Sequence, residues 1–100
     1  MPSLQVVFHA PTAQALDRAR RNLVNFQAIE PEAELRLVVN GGAVQAALDN
    51  PDPATDEFVF LCRNTLQRQG LRNDRQLAEV GAAVVELARL QAQGWQYIRA

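Results

Sequence analysis

The residues best suited to chemistry in this sequence are its one cysteine, Cys62, and its one histidine, His9, and each closes an apolar run. Cys62 ends Phe58 to Cys62 and passes directly into Arg63 and Asn64, where a helix is expected to start. A sulfur at such a junction can face the unsatisfied amides of the helix, with the guanidinium of Arg63 nearby, and both favour the nucleophilic thiolate. The bland alternative is a small hydrophobe closing a core strand. His9 can exchange a proton near neutral pH, as one half of a Cys and His pair or alone, or it can simply hydrogen-bond a loop. Asn40-Gly41-Gly42 precedes another expected helix, where backbone amides can hold a small anion or merely make a tight turn.

These groups must be positioned by short alternating elements. Leu4 to His9 and Leu35 to Val39 are apolar and β-rich, as expected of strands covered on both faces. Phe58 to Cys62 is the most apolar segment and reads as a central strand. Between the first two runs, Thr12 can cap a helix whose apolar positions Leu16, Ala19, Leu23 and Phe26 follow helical spacing and which closes before Pro31. Ala43 to Leu48 and Arg63 to Gln69 read as further helices, the second stopped by Gly70. Asp49 to Glu57 contains two prolines and no apolar periodicity, so it is expected to be a surface loop. From Arg75 to Gln93 the pattern fits either one long helix or a short strand turning at Gly81 into a helix. Trp95 to Arg99 alternates as a peripheral last strand. Strand and helix in alternation predict a parallel sheet with helices on both faces and ligands beyond the carboxyl ends of the strands.

Composition removes several classes of function. A chain of 100 residues, 48% of them hydrophobic, supports one core and a single domain over 1–100. A lone cysteine forms no internal disulfide, and neither a secretory signal nor an apolar run near the roughly 20 residues of a spanning helix is present, so a reducing cytoplasm is expected and a membrane is not. All ten basic residues are arginine and the net charge is −1, with no segment of concentrated positive charge, so nucleic acid is not expected as a partner. The absence of lysine excludes Schiff-base chemistry and lysine-dependent phosphate loops. Asp49, Asp52, Asp56 and Glu57 lack calcium-loop spacing, one cysteine and one histidine make no closed zinc site, and Ser3, the only serine, sits too near the start for a triad. No metal and no cofactor are expected.

Val6-Val7-Phe8-His9, Asn22 and Asn25, Val38-Val39-Asn40-Gly41, Cys62-Arg63-Asn64-Thr65-Leu66 ending at Gly70, and the closing Gly94-Trp95-Gln96-Tyr97-Ile98 together resemble the DsrE-like family. The resemblance covers nearly the whole chain. It implies a three-layer α/β/α sandwich with a mainly parallel sheet of about five strands, assembled into homotrimers or homohexamers. It also implies a short strand near Leu77 to Val80. In the sulfur-relay members a cysteine matching Cys62 carries sulfur as a persulfide between donor and acceptor proteins. The relay members follow that cysteine with small apolar residues and an adjacent Arg-Gly. Here Arg63, Asn64 and Thr65 are polar and Gln69 separates Arg68 from Gly70, which brings the chain closer to the YchN-like members.

Two functions of different class follow. The first is a sulfurtransferase or sulfur carrier acting through Cys62. The second is a non-catalytic oligomeric module that binds a small anion at the strand ends, through His9, Asn40, Gly41, Gly42, Arg63 and Asn64. A purely structural subunit is a third, suggested by an apolar sheet edge at Trp95 and Ile98.

Overall fold

The computed structural model describes residues 3–100. Its elements alternate as the sequence pattern requires: β1 (Gln5–Ala10), α1 (Ala13–Ile29), β2 (Glu34–Val39), α2 (Gly42–Asp49), β3 (Val59–Cys62), α3 (Arg63–Gln69), β4 (Ala78–Val80), α4 (Ala83–Ala92) and β5 (Gln96–Arg99). All strand pairings are parallel, in the order β4-β3-β2-β1-β5. The Arg75 to Gln93 ambiguity resolves in favour of a short strand, with β4 pairing Cys62 with Val80 and Gly81 turning the chain into α4. Phe58 is not a strand residue, because the proline-containing loop ends in a 3-10 turn over Asp56–Phe58.

Strand order explains the two cores. The chain moves outward from β1 to β4, and right-handed crossovers place α1, α2 and Leu66 of α3 on one face, over Val6, Phe8, Leu37, Val39 and Leu61. The return from β4 to the far side of β1 reverses the direction of travel, and the same handedness then puts α4 on the opposite face. There Ala83, Leu87 and Leu90 cover Val7, Val38, Val80 and Cys62 together with Trp95. The result is a three-layer α/β/α fold. Trp95 is 6% exposed and belongs to this second core, so the apolar edge expected at Trp95 and Ile98 is reduced to Ile98 and Tyr97 on β5.

Arg36, the one basic residue within β2, is accommodated on the α4 face. Its guanidinium lies 4.9 Å from the Trp95 ring centre and 5.2 Å from that of Phe60, and pairs with Glu86 at 3.6 Å. Thr12 caps α1 by accepting from the Ala15 amide at 3.0 Å, and Gly70 ends α3 in the left-handed conformation.

The turn from β2 into α2 is the tightest of the glycine positions. Gly41 has φ of +54° and ψ of −141°, and a Cβ there would lie 2.6 Å from the Pro11 carbonyl oxygen. Gly41→Ala is therefore expected to cost about 2 kcal/mol or more, read as a lower urea midpoint at unchanged m-value.

Candidate functional site

The carboxyl ends of β1, β2 and β3 bring His9, Asn40 and Cys62 to one end of the sheet, as the pattern of apolar runs implied. They form two separate arrangements. β1 and β3 are both neighbours of β2, so His9 and Cys62 are two strand spacings apart, roughly 10 Å. Both imidazole nitrogens are also engaged, Nε2 with Asn40 Oδ1 at 2.9 Å and Nδ1 with the Tyr97 hydroxyl at 2.7 Å. An amide oxygen only accepts, so Nε2 is the donor to Asn40. A papain-like Cys and His pair is thereby excluded, and His9 instead ties together the ends of β2, β1 and β5.

Cys62 sits where α3 and α4 both begin. It is the residue preceding α3, and its partner across the sheet, Val80, is followed within three residues by the first turn of α4. The Asn64 amide donates to the Gly81 carbonyl at 3.3 Å, fastening the start of α3 to the turn before α4. Burial pushes the Cys62 thiol up, since its residue is only 5% exposed. Hydrogen bonding from the Thr65 hydroxyl, then from the backbone amides of Ala83, Thr65 and Asn64, outweighs that burial and holds the pKa below the ordinary 9.0. These groups belong to the starts of α3 and α4, which flank Cys62.

Thr65 is the link that residue types did not reveal. Its oxygen accepts from the Gly41 amide at 3.3 Å, and its hydroxyl is the foremost of the groups that lower the Cys62 pKa. The same bond corrects the expectation of free amides for two of the three residues of Asn40-Gly41-Gly42, because Gly41 donates to Thr65 and Asn40 donates to the Ala10 carbonyl at 3.2 Å. Arg63, expected beside the sulfur, is directed elsewhere. Its Nε donates to Glu79 at 3.0 Å, and Glu79 also accepts from Asn73 at 2.9 Å. These bonds, Asn73 first and Arg63 second, hold the Glu79 carboxyl below its ordinary value. Outside the sulfur a groove of about 420 Å³ is lined by Asn64, Gln67, Gly81, Ala82, Val85 and Arg89 among others. Cys62 itself does not line it.

Two outcomes follow from this geometry. Thr65→Val removes the hydroxyl donor and is expected to raise the Cys62 pKa, while Thr65→Ser retains the wild-type value; thiol titration by absorbance of the thiolate distinguishes them. Because the native pKa is depressed, the thiolate contributes stability that is fully present above the unfolded value and is lost as pH falls through the native one. The stability advantage of wild type over Cys62→Ala should therefore grow with pH across that interval and level off above 9.0, measured by urea unfolding at a series of pH values.

Among the described residues no group of histidine, cysteine and acidic side chains is placed to hold a metal, and no helix is long and apolar enough to cross a membrane. No protein-family model matches the sequence, and no curated protein matches it either. The fold itself is shared: the solved structure of a protein of unknown function, MTH1491 from Methanobacterium thermoautotrophicum, superposes with a TM-score of 0.84 at 23% identity, over 98% of this chain and 100% of that one.

Proposed function

We propose that the protein is a carrier of sulfane sulfur, holding it as a persulfide on Cys62. The supporting observation is the place of Cys62 between the starts of α3 and α4, where the Thr65 hydroxyl and nearby amides hold its pKa down despite burial. That environment is more than a core strand-end requires, since a purely structural cysteine packs as a small hydrophobe. The DsrE-like resemblance of the flanking residues, Cys62-Arg63-Asn64-Thr65-Leu66 through Gly70, points the same way.

In the proposed transfer the Cys62 thiolate attacks the terminal sulfur of a donor persulfide. A new S–S bond forms at Cys62, the donor's S–S bond breaks, and the donor leaves as a thiolate. The proton of the donor persulfide remains on the transferred sulfur or passes to solvent. An acceptor thiolate then attacks the same outer sulfur, and Cys62 departs as the thiolate that its amides and Thr65 favour. No external oxidant or reductant is required. The depressed pKa assists both halves, first by populating the attacking thiolate and then by making Cys62 a good leaving group.

Cys62 is the residue in a catalytic role, and Thr65 positions and polarises it. Arg63 has no role in this chemistry beyond bracing Glu79, and His9 and Asn40 belong to a separate network. We further propose a cytoplasmic setting and a homotrimer or homohexamer as the working form, both following from the resemblance. Loading the chain with isotopically labelled sulfane sulfur and adding a small-molecule thiol tests the second half-reaction. Label should pass to the added thiol, and retention of label on the protein would contradict a carrier role.

A further inference from the structure

The fold gathers positive charge that the sequence disperses. A cavity of about 430 Å³ lies over the carboxyl ends of β1 and β5, lined by Thr12, Gln14, Arg18, Arg21, Arg99 and Ala100. Its place is set by topology. The chain travels from β1 outward to β4 and then returns to pair β5 with the other side of β1, so the β1/β5 boundary is the point where strand order reverses. The crevice there is walled by α1 on one side and by the end of β5 on the other.

Three features of the lining favour an anion. Gln14, Arg18 and Arg21 are spaced to share one flank of α1, and Arg99 comes from the opposite end of the chain. Among the described residues Arg20, Arg36, Arg63 and Arg75 each meet a carboxylate, whereas Arg18, Arg21 and Arg99, like Arg68, Arg72 and Arg89, meet none; the first three share one cavity that no acidic side chain lines. Arginines three residues apart on one helix face repel by a few tenths of a kcal/mol, a repulsion that a bound anion would relieve. The amides of Ala13 and Gln14, in the first turn of the same helix, are without intrahelical acceptors, since the Thr12 side chain and carbonyl serve Ala15 and Leu16. Guanidinium forks beside free helix amides match phosphate oxygens in charge and geometry. The net charge of −1 means that such attraction is local to this cavity.

We propose that this cavity, independent of Cys62, binds a small phosphorylated molecule carrying at least two negative charges. Inorganic pyrophosphate is a suitable probe, titrated into the full chain at constant ionic strength and followed by two-dimensional nitrogen–proton NMR. Saturable shifts confined to Ala13, Gln14, Arg18, Arg21, Arg99 and their neighbours are expected. Arg18→Gln combined with Arg21→Gln should weaken binding at least tenfold while leaving the fold intact, since both side chains are exposed. Arg68→Gln combined with Arg72→Gln, outside the cavity, should leave binding unchanged. Non-saturating shifts spread over all arginines, no shifts at all, or equal binding by the Arg18 and Arg21 double variant would each overturn the proposal.

Discussion

Incubated with a cysteine desulfurase and free cysteine, the wild-type chain is expected to gain one sulfur atom in intact mass, and Cys62→Ser to gain none. The effect is all or nothing because this is the chain's one thiol. Its sharper content lies in the flanking residues. Arg63→Gln should load as wild type does, because its guanidinium serves Glu79 and not the sulfur. Thr65→Val should load more slowly below the native thiol midpoint, where the thiolate fraction limits attack, and approach wild type once both thiols are ionised. A wild-type chain that gains no mass under conditions that load an exposed-thiol control would refute the carrier reading, whatever the pKa of Cys62.

The second large effect is structural. The loop between α2 and β3 carries acids that sequence spacing assigns to solvent, but the fold turns two of them inward. Asp56 pairs with Arg75, accepts from the Asp52 amide at 3.0 Å and faces Arg20 Nη2 at 3.6 Å, while Asp52 lies 3.7 Å from Arg20 Nε. The side chains of Arg20 and Asp56 are only 11% and 15% exposed, and Thr55 between the two aspartates is fully buried, bonded to Asp52. Asp56→Ala strands two largely desolvated guanidiniums, at an expected cost of about 3 kcal/mol. For a domain of this size that corresponds to a melting temperature lower by on the order of 15 °C, measurable by calorimetry. Asp49→Ala, an exposed acid of the same segment, should change stability by under about 0.5 kcal/mol. Equal effects of the two substitutions would show that the inward cluster contributes nothing.

Where apolar period and turn chemistry agreed, the sequence was easily read. Thr12 before an amphipathic run, Gly70 after one and the continuous apolar strands each state a local preference that packing reinforces. The Arg75 to Gln93 stretch was not readable from period because β4 is three residues long, and its strand identity comes from pairing with β3 rather than from its own residues. Phe58 failed for a similar reason: its apolar side chain continues the strand pattern, but the 3-10 turn that buries Thr55 fixes its backbone.

The site was legible only in part. A strand-end cysteine is visible in sequence, and so is the helix that follows. The second helix aimed at it, α4, is not, because its start is brought there by β4 from beyond an intervening loop. Thr65 carries no signal of its own, being one more polar residue in a short helix, and its importance arises from Gly41 reaching it across the sheet. Arg63 was misplaced because adjacency in sequence says nothing about which way a long side chain extends, and Glu79 offers it a better partner. The arginines over β1 and β5 escaped notice for the converse reason, since Arg99 joins Arg18 and Arg21 only through the pairing of β5 with β1.

The pH dependence of alkylation at Cys62, in the native protein and in the urea-unfolded chain, tests the account most directly. Native modification should be slow, because the sulfur is 5% exposed, yet its midpoint should lie below that of the unfolded chain and move upward in Thr65→Val. Identical midpoints would mean that the thiol reacts only after local unfolding, and a native midpoint above the unfolded one would mean that burial outweighs the amides. Either result would contradict a thiolate held ready between the starts of α3 and α4.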